Sequence, residues 1–152
     1  MEMDYHLDAL LNLPNLTVES CSQEGHQVFL KLRFLKEASD CPHCQKPSDK
    51  LHQNRPVLIR DLPISGQSVH LHLPRRQFYC SFCQHYFTER LSFVDWERRY
   101  TQRYENAIYQ RIQTTSIEQV SREENLSWDQ VQGIFKHKFN QEKKLIGVKS
   151  ND

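Results

Sequence analysis

Two Cys-x-x-Cys pairs, Cys41-Pro42-His43-Cys44 and Cys80-Ser81-Phe82-Cys83, supply four thiols that one ion could share. Four thiolates complete the tetrahedral shell of a structural Zn²⁺ and leave no open position for a reacting water. The spacing therefore predicts Zn²⁺ held by Cys41, Cys44, Cys80 and Cys83 as a staple of the fold, not as a catalyst. Each pair reads as a knuckle, a tight turn that aims two sulfurs at one point while nearby backbone N–H groups donate to them. The stretch between the pairs, Gln45 to Tyr79, is longer than the roughly 15–20 residues usual in a ribbon. A disulfide framework is the competing reading; no charged-then-apolar leader precedes the cysteines, which favours a reducing, cytoplasmic setting. A thiol-redox role is weaker, because no βαβ pattern surrounds either pair. Cys21 has no partner at ligand spacing and reads as a small half-buried residue in a strand. His43 and His85 flank a ligand set that is already complete, so hydrogen bonding around the site or simple exposure is expected of them.

The elements that must position these sulfurs follow from hydropathy patterning. Tyr5 to Leu11 reads as a short helix ending before Pro14. Leu16–Cys21 and His26–Leu35 read as a hairpin, with Gln23-Glu24-Gly25 as turn material. Val28, Leu30, Leu32 and Phe34 share one face of its second strand and Lys31 and Arg33 the other, so a buried face opposes a basic one. Val57–Asp61 and Ser68–Leu73 read as strands joined by Leu62-Pro63-Ile64-Ser65-Gly66, and Arg75–Tyr79 leads into the second knuckle. His70 and His72 alternate with Val69, Leu71 and Leu73 and should face outward.

Beyond Phe87 the period changes from two to 3.6, and no Pro or Gly occurs between Cys80 and Gln132. Helices are expected over Trp96–Ile112, from Ser116, and over Trp128 to about Lys144, the last two capped by Ser116 and Ser127 with Gln119 and Gln130 at the third following positions. Val131, Ile134, Phe135 and Phe139 form the apolar set of the last helix. Two helices joined across Glu124-Asn125-Leu126-Ser127 have helix-turn-helix spacing. Trp96 and the tyrosines read as core, and Phe78, Tyr79 and Phe82 as packing around the knuckles.

The expected class is α+β, a β-rich zinc-ribbon-like domain followed by a small helical helix-turn-helix domain. By residue, 1–40 would form a helix and hairpin packed on the zinc domain, 41–92 the four-cysteine zinc-ribbon-like domain, 93–146 the helical domain and 147–152 a frayed tail. A chain of 152 residues suffices for one ordinary domain or two small ones. No apolar run approaches the roughly 20 residues of a membrane span, so no membrane partner is expected. The net charge of +1 conceals an asymmetry: the first 24 residues hold five acids and no Lys or Arg, leaving +6 on the remainder.

The order of parts resembles the N-terminal region of the ISL-three-type insertion-sequence transposases. The match rests on Cys-Pro-His-Cys, then Arg60-Asp61-Leu62-Pro63, Val69 to Leu73, Arg75-Arg76-Gln77-Phe78-Tyr79-Cys80 and Phe87-Thr88-Glu89-Arg90, and spans about Leu10 to Lys138. The resemblance implies recognition of an element's terminal repeats by the zinc domain and helix-turn-helix. It places strand cutting in a later three-carboxylate domain, for which no residues follow here. The expectation is a zinc-dependent, sequence-specific DNA-binding protein without catalytic activity of its own, recognising double-stranded DNA such as a terminal repeat or operator. The competing expectation is a protein-interaction adaptor whose helices dock a partner, a full-length transposase or a second copy as a homodimer.

DNA affinity comes chiefly from neutralised phosphates. The candidates are Lys31, Arg33, Arg55, Arg60, Arg75 and Arg76 in the zinc domain, and Arg98, Arg99 and Arg103 along the first long helix. On the last helix Ser127, Gln130 and Gln132 could reach base edges, with Asp129 beside them, while Lys136, His137 and Lys138 meet the backbone. Against this, Glu118, Glu123, Glu124 and Asp129 make the preceding turn and helix acidic.

Overall fold

The computed structural model describes residues 5–150. They divide into two compact units, with the boundary between Thr101 and Gln102. The class is α+β, strands first and helices after. In the first unit α1 (Tyr5–Leu11) precedes β1 (Leu16–Glu24), β2 (Gln27–Phe34), β3 (Ser39–Asp40), β4 (Pro47–Ser48), β5 (Leu51–Ile64), β6 (Gln67–Cys80) and β7 (His85–Thr88). The main sheet has the order β1-β2-β6-β5, with β7 pairing β6, and β3 and β4 pair with each other.

Both hairpins turn where the sequence permits positive φ. Ser65 and Gly66 have φ of 50° and 75°, as the favoured two-residue hairpin turn requires at both central positions. Gly25 has φ of 59° at the first position between β1 and β2. The first turn is thus Gly25-His26, one step later than expected. The second is only Ser65-Gly66, because β5 runs on to Ile64, past a register shift between Asp61 and Ile64. Pro63 lies in this irregular stretch of an edge strand, where its missing N–H breaks no ladder bond.

β6 is one strand of 14 residues, longer than the strand expected over Ser68–Leu73, and it takes in the run Arg75–Tyr79 that leads into the knuckle. Pro74 faces Pro56 of β5 in register. Two prolines cannot exchange N–H bonds, so this is a non-hydrogen-bonded pair, whose N–H positions point away from the partner strand. On that outer side of β6, β2 pairs only residues 68–72 and β7 only 77–80. Pro74 falls in the gap between them and leaves no acceptor unmet.

The burial of β6 changes phase at the same place. Val69, Leu71 and Leu73 are fully buried above Pro74, and Arg76, Phe78 and Cys80 are buried below it. Pairing with β5 stays in step from Gln53 to Asp61, so the two halves bury opposite faces of one strand. The upper half closes a core with Val18, Leu30, Leu32 and Ile59, covered by Leu11 of α1 and by Leu91, Phe93 and Val94. The lower half closes a second core of Phe78, Phe87 and the cysteines. Each fully buried Leu, Val or Phe contributes about 1.5–3 kcal/mol relative to exposure.

Several expectations hold in detail. Lys31 and Arg33 lie opposite a buried face of Leu30, Leu32 and Phe34. Asp8 of α1 accepts hydrogen bonds from the Thr17 hydroxyl and the Val18 N–H, both at 2.7 Å, so one acid of the N-terminal run pins helix to strand. Cys21 differs: it is exposed, because β1 leaves the core after a bulge between Val18 and Ser20.

Arg76 also departs from its expected role as a phosphate contact. Its guanidinium donates to both Glu89 carboxylate oxygens at 2.9 and 2.7 Å and to the Lys36 carbonyl at 2.9 Å. It lies 4.1 Å from the Phe34 ring centre and 5.0 Å from that of Phe78. Side-chain exposure of 9% for Arg76 and 8% for Glu89 makes this a buried pair.

The second unit holds α2 (Gln102–Ile112), α3 (Ile117–Glu124) and α4 (Trp128–Ser150). Ile108, Tyr109, Val120, Val131 and Ile134 are buried in this unit, and Tyr109 stacks on Phe135 with its hydroxyl donating to Glu142 at 2.8 Å. That hydrogen bond to a carboxylate raises the Tyr109 phenol above its ordinary range. α2 begins at Gln102, not Trp96, since residues 96–101 are tied to β5: the Arg60 N–H donates to the Arg99 carbonyl and the Thr101 N–H to the Arg60 carbonyl, both at 2.9 Å. Asp61 accepts from the Thr101 hydroxyl at 2.7 Å. α4 continues through 147–150, which were expected to fray; 151–152 lie outside the described residues. No helix among the described residues is long and apolar enough to cross a membrane.

Glu89→Ala should lower stability in urea denaturation by about 3–5 kcal/mol, because it strands a buried guanidinium. The double change Arg76→Met with Glu89→Leu should cost less than Glu89→Ala alone, a non-additivity that a double-mutant cycle measures.

Candidate metal centre and nucleic-acid interface

Cys41 and Cys44 lie on the turn between β3 and β4, and Cys80 ends β6 with Cys83 on the turn to β7. Both turns are built alike. The Gln45 N–H donates to the Cys41 carbonyl and the Gln84 N–H to the Cys80 carbonyl, each at 2.8 Å, and Gln45 and Gln84 take φ of 62° and 57°. A shared Cys-x-x-Cys-Gln thus encodes one turn twice, and the positive φ reverses the chain so that the second sulfur points back at the first. Within each knuckle a backbone N–H faces the leading sulfur: His43 to Cys41 at 3.4 Å and Cys83 to Cys80 at 3.5 Å.

The two knuckles meet. The Cys41 and Cys83 sulfurs are 3.9 Å apart and those of Cys44 and Cys80 3.6 Å, and all four lie within 4.8 Å of one another. Zn–S bonds of about 2.3 Å in a tetrahedron put sulfurs about 3.8 Å apart, so the donor set fits Zn²⁺. Without an ion the four cannot ionise together. The Cys83 backbone N–H is the main influence lowering Cys80 to about 7, while the hydrogen bond with the Cys44 sulfur is the main influence pushing Cys83 up to about 12. A divalent ion removes that conflict by taking all four as thiolates.

The length between the knuckles is the β5–β6 hairpin, whose far half joins β2. The exit of the first knuckle is tied to the strand entering the second: the Ser48 hydroxyl donates to the Tyr79 carbonyl and the Tyr79 N–H to the Lys50 carbonyl. Lys50 Nζ donates to the Ser81 hydroxyl at 2.7 Å, and Lys46 Nζ lies 3.7 Å from the Phe82 ring centre. These ammonium groups offset the net negative charge of a zinc tetrathiolate. His43 and His85 are exposed, with ring centres 6.4 Å apart. His72 is exposed; His70 stacks on Phe29, and burial followed by the Arg60 charge holds it below the usual histidine range. Phe82 is exposed, not packed in the knuckle core.

In the second unit the turn between α3 and α4 is fixed at each residue. Asn125 adopts the left-handed conformation and its N–H bonds the Ser121 carbonyl. Ser127 and Gln130 form a reciprocal cap: the Gln130 N–H donates to the Ser127 hydroxyl at 3.0 Å and the Ser127 N–H to the Gln130 side-chain oxygen at 2.9 Å. Both side chains, candidates for base contact, are thereby held at the exposed N-terminus of α4. Ser116 caps α3 by accepting from the Gln119 N–H at 3.1 Å.

Beside Ser127 and Gln130 the surface of early α4 carries exposed Trp128, Asp129 and Lys136 and partly exposed Gln132. Trp128 is 48% exposed and was missed by the sequence, where it read only as the start of a helix. Lys138 is buried, with its ammonium 3.2 Å from the Gln141 side-chain oxygen, and is not on that surface. Arg111 of α2 pairs with both Glu123 and Glu124. The Gln119 side-chain amide, with Arg111 adding its charge, holds the Glu123 carboxyl below its ordinary range. Much of the acidity expected to repel phosphates is therefore neutralised within the unit.

The remaining candidate cations are distributed as follows. Lys31 and Arg33 are exposed but share Glu19, at 3.9 and 3.7 Å, surface pairs worth at most about 1 kcal/mol. Arg55 and Arg99 are exposed and Arg60, Arg75 and Arg98 partly so; Arg98 and Arg99 precede α2, and partly buried Arg103 lies on it. Trp96 is 45% exposed, not core.

Residues 37–83 match the family described as zinc-finger of transposase IS204/IS1001/IS1096/IS1165, and residues 89–137 the helix-turn-helix domain of transposase family ISL3. The chain carries a zinc ribbon and a helix-turn-helix of ISL3 transposase type. The transposase for insertion sequence element IS1001 of Bordetella parapertussis is 29% identical over 119 residues, 78% of this chain. The chain spans about 29% of that relative's length. No solved structure gives a significant match. The ISL3-type motifs are also where the fold is clamped: Arg76 and Glu89 join two of them, and Asp61 of Arg-Asp-Leu-Pro holds Thr101. These findings make the chain a DNA-binding, transposase-like region whose four clustered cysteines fit a Zn²⁺ site.

Cys41→Ser and Cys80→Ser should each abolish equimolar zinc on elemental analysis. Chelator titration should collapse the near-ultraviolet dichroism of the wild type, because metal and fold are linked. Ser127→Ala should cost about 1 kcal/mol in thermal or urea unfolding, the value of a lost helix cap.

Proposed function

We propose that this chain binds a specific duplex DNA sequence, such as an element's terminal repeat or an operator, and performs no chemistry on it. The observation that carries this reading is the capped turn before α4, which leaves Asp129, Gln132 and Lys136 at successive exposed or partly exposed positions of a helix matched to a transposase helix-turn-helix. A helix so held enters the major groove by its N-terminal turns. Gln132 is suited to a bidentate contact with adenine and Lys136 to a phosphate. Lys31, Arg33, Arg55, Arg60, Arg75, Arg98, Arg99 and Arg103 supply the remaining phosphate contacts, which carry affinity without reading sequence. A tetrathiolate zinc has no open coordination position, which supports a structural role for the metal.

A second reading draws on Phe139, Leu145 and Ile146, all exposed on α4. It makes this stretch a docking face for a second copy or for a full-length transposase.

Selection from a random duplex pool should enrich one sequence. Affinity for it should fall steeply with salt, log K declining by about 0.9 per contacted phosphate for each log unit. Lys136→Ala should reduce that slope by about 1, and Gln132→Ala should relax base preference at one position by about 1–3 kcal/mol. A pool with no enriched duplex, alongside capture of a protein partner, would replace this reading with the docking one.

A further inference from the structure

Helix-turn-helix recognition leaves Trp96 without a role, and its surroundings within the first unit are those of a binding site. A cavity of about 250 Å³ opens beside β5 and β6. Ile59 and Val94 give it an apolar floor, and Trp96, Arg75, Arg90 and Arg99 stand around it. The indole is 45% exposed, with the Arg90 guanidinium 4.6 Å and that of Arg75 5.5 Å from its ring centre. Arg75 is there because β6 changes its buried face at Pro74: Arg75 continues the row of Val69, Leu71 and Leu73 just past the end of the upper core. Among the described residues, no carboxylate lies within ion-pair distance of Arg75, Arg90 or Arg99. Five arginines and three carboxylates line the cavity, and the Glu89 carboxylate is already taken up by Arg76.

We propose that this cavity receives an unstacked nucleotide of a DNA strand, its base against the Trp96 indole over the apolar floor and its phosphates on Arg75, Arg90 and Arg99. An aromatic wall takes the face of any base, and guanidinium groups take phosphate oxygens in pairs. A paired base in a duplex buries both faces in the stack and cannot enter. The cavity therefore selects strand ends, overhangs or unpaired positions. The proposal rests on the DNA-binding reading and adds to it a preference for unpaired DNA beside the duplex.

The test uses the zinc-loaded chain and three mixed-sequence probes: a single strand of about ten nucleotides, a blunt duplex, and the same duplex with a short single-stranded overhang. 2-Aminopurine placed in the unpaired segment reports stacking directly. Wild type should quench its emission and prefer the overhang duplex to the blunt one. Trp96→Ala should abolish the quenching and weaken single-strand binding about tenfold or more, leaving blunt-duplex affinity within about twofold. Trp96→Phe should retain most of both signals, and unchanged zinc content and dichroism establish that the variants fold. If Trp96→Ala does not fold, Arg90→Ala, at a residue outside the duplex contacts, probes the same cavity through loss of overhang preference. Equal weakening of blunt and overhang duplexes, or no quenching at saturation, overturns the proposal and leaves duplex binding standing. Failure of wild type to bind any duplex, with Trp96-dependent quenching of the single strand retained, overturns the duplex reading and supports the cavity.

Discussion

One strand, β6, has to serve two cores that lie on opposite faces of it. Its upper half needs Val69, Leu71 and Leu73 against the hairpin and α1; its lower half needs Phe78 and Cys80 against the knuckles. Side chains alternate with a period of two, so an unbroken ladder can satisfy both only by changing which parity is buried. Pro74, set where neither β2 nor β7 requires its N–H, marks the change. From that constraint follow the burial of Arg76, the position of Arg75 at the cavity, and the delivery of Cys80 to the sulfur cluster.

Metal and strand then reinforce each other. The four sulfurs join turns separated by the whole β5–β6 hairpin, and the hairpin fixes where the second turn can be. The buried Arg76–Glu89 pair closes the lower core from the side, with the guanidinium between Phe34 of β2 and Phe78 of β6. A buried ion pair in which each guanidinium nitrogen donates a hydrogen bond specifies one arrangement of the strands more than it stabilises them, since desolvation offsets most of its attraction.

Charge in this chain acts through position. Arginines that look alike in sequence divide into clamps, such as Arg76 and Arg111, and groups left facing solvent, such as Arg55 and Arg99. The acids behave similarly: Asp8 and Asp61 pin elements together, Glu123 and Glu124 are matched by Arg111, and Glu19 moderates Lys31 and Arg33. A net charge of +1 says nothing of this.

The sequence by itself determined the sulfur set, the basic-outside alternation of β2, the caps at Ser116 and Ser127, and the helix-turn-helix spacing. These depend on residue type at short separation: a knuckle needs only two cysteines and the turn between them, and a cap only a serine and its third neighbour. The tertiary structure alone decided that β6 is continuous through Pro74, that Arg76 belongs to Glu89, and that Trp96 stands at a cavity and not in a helix. Each depends on what lies across a sheet or beside a helix end, and local pattern carries no information about a partner many residues away.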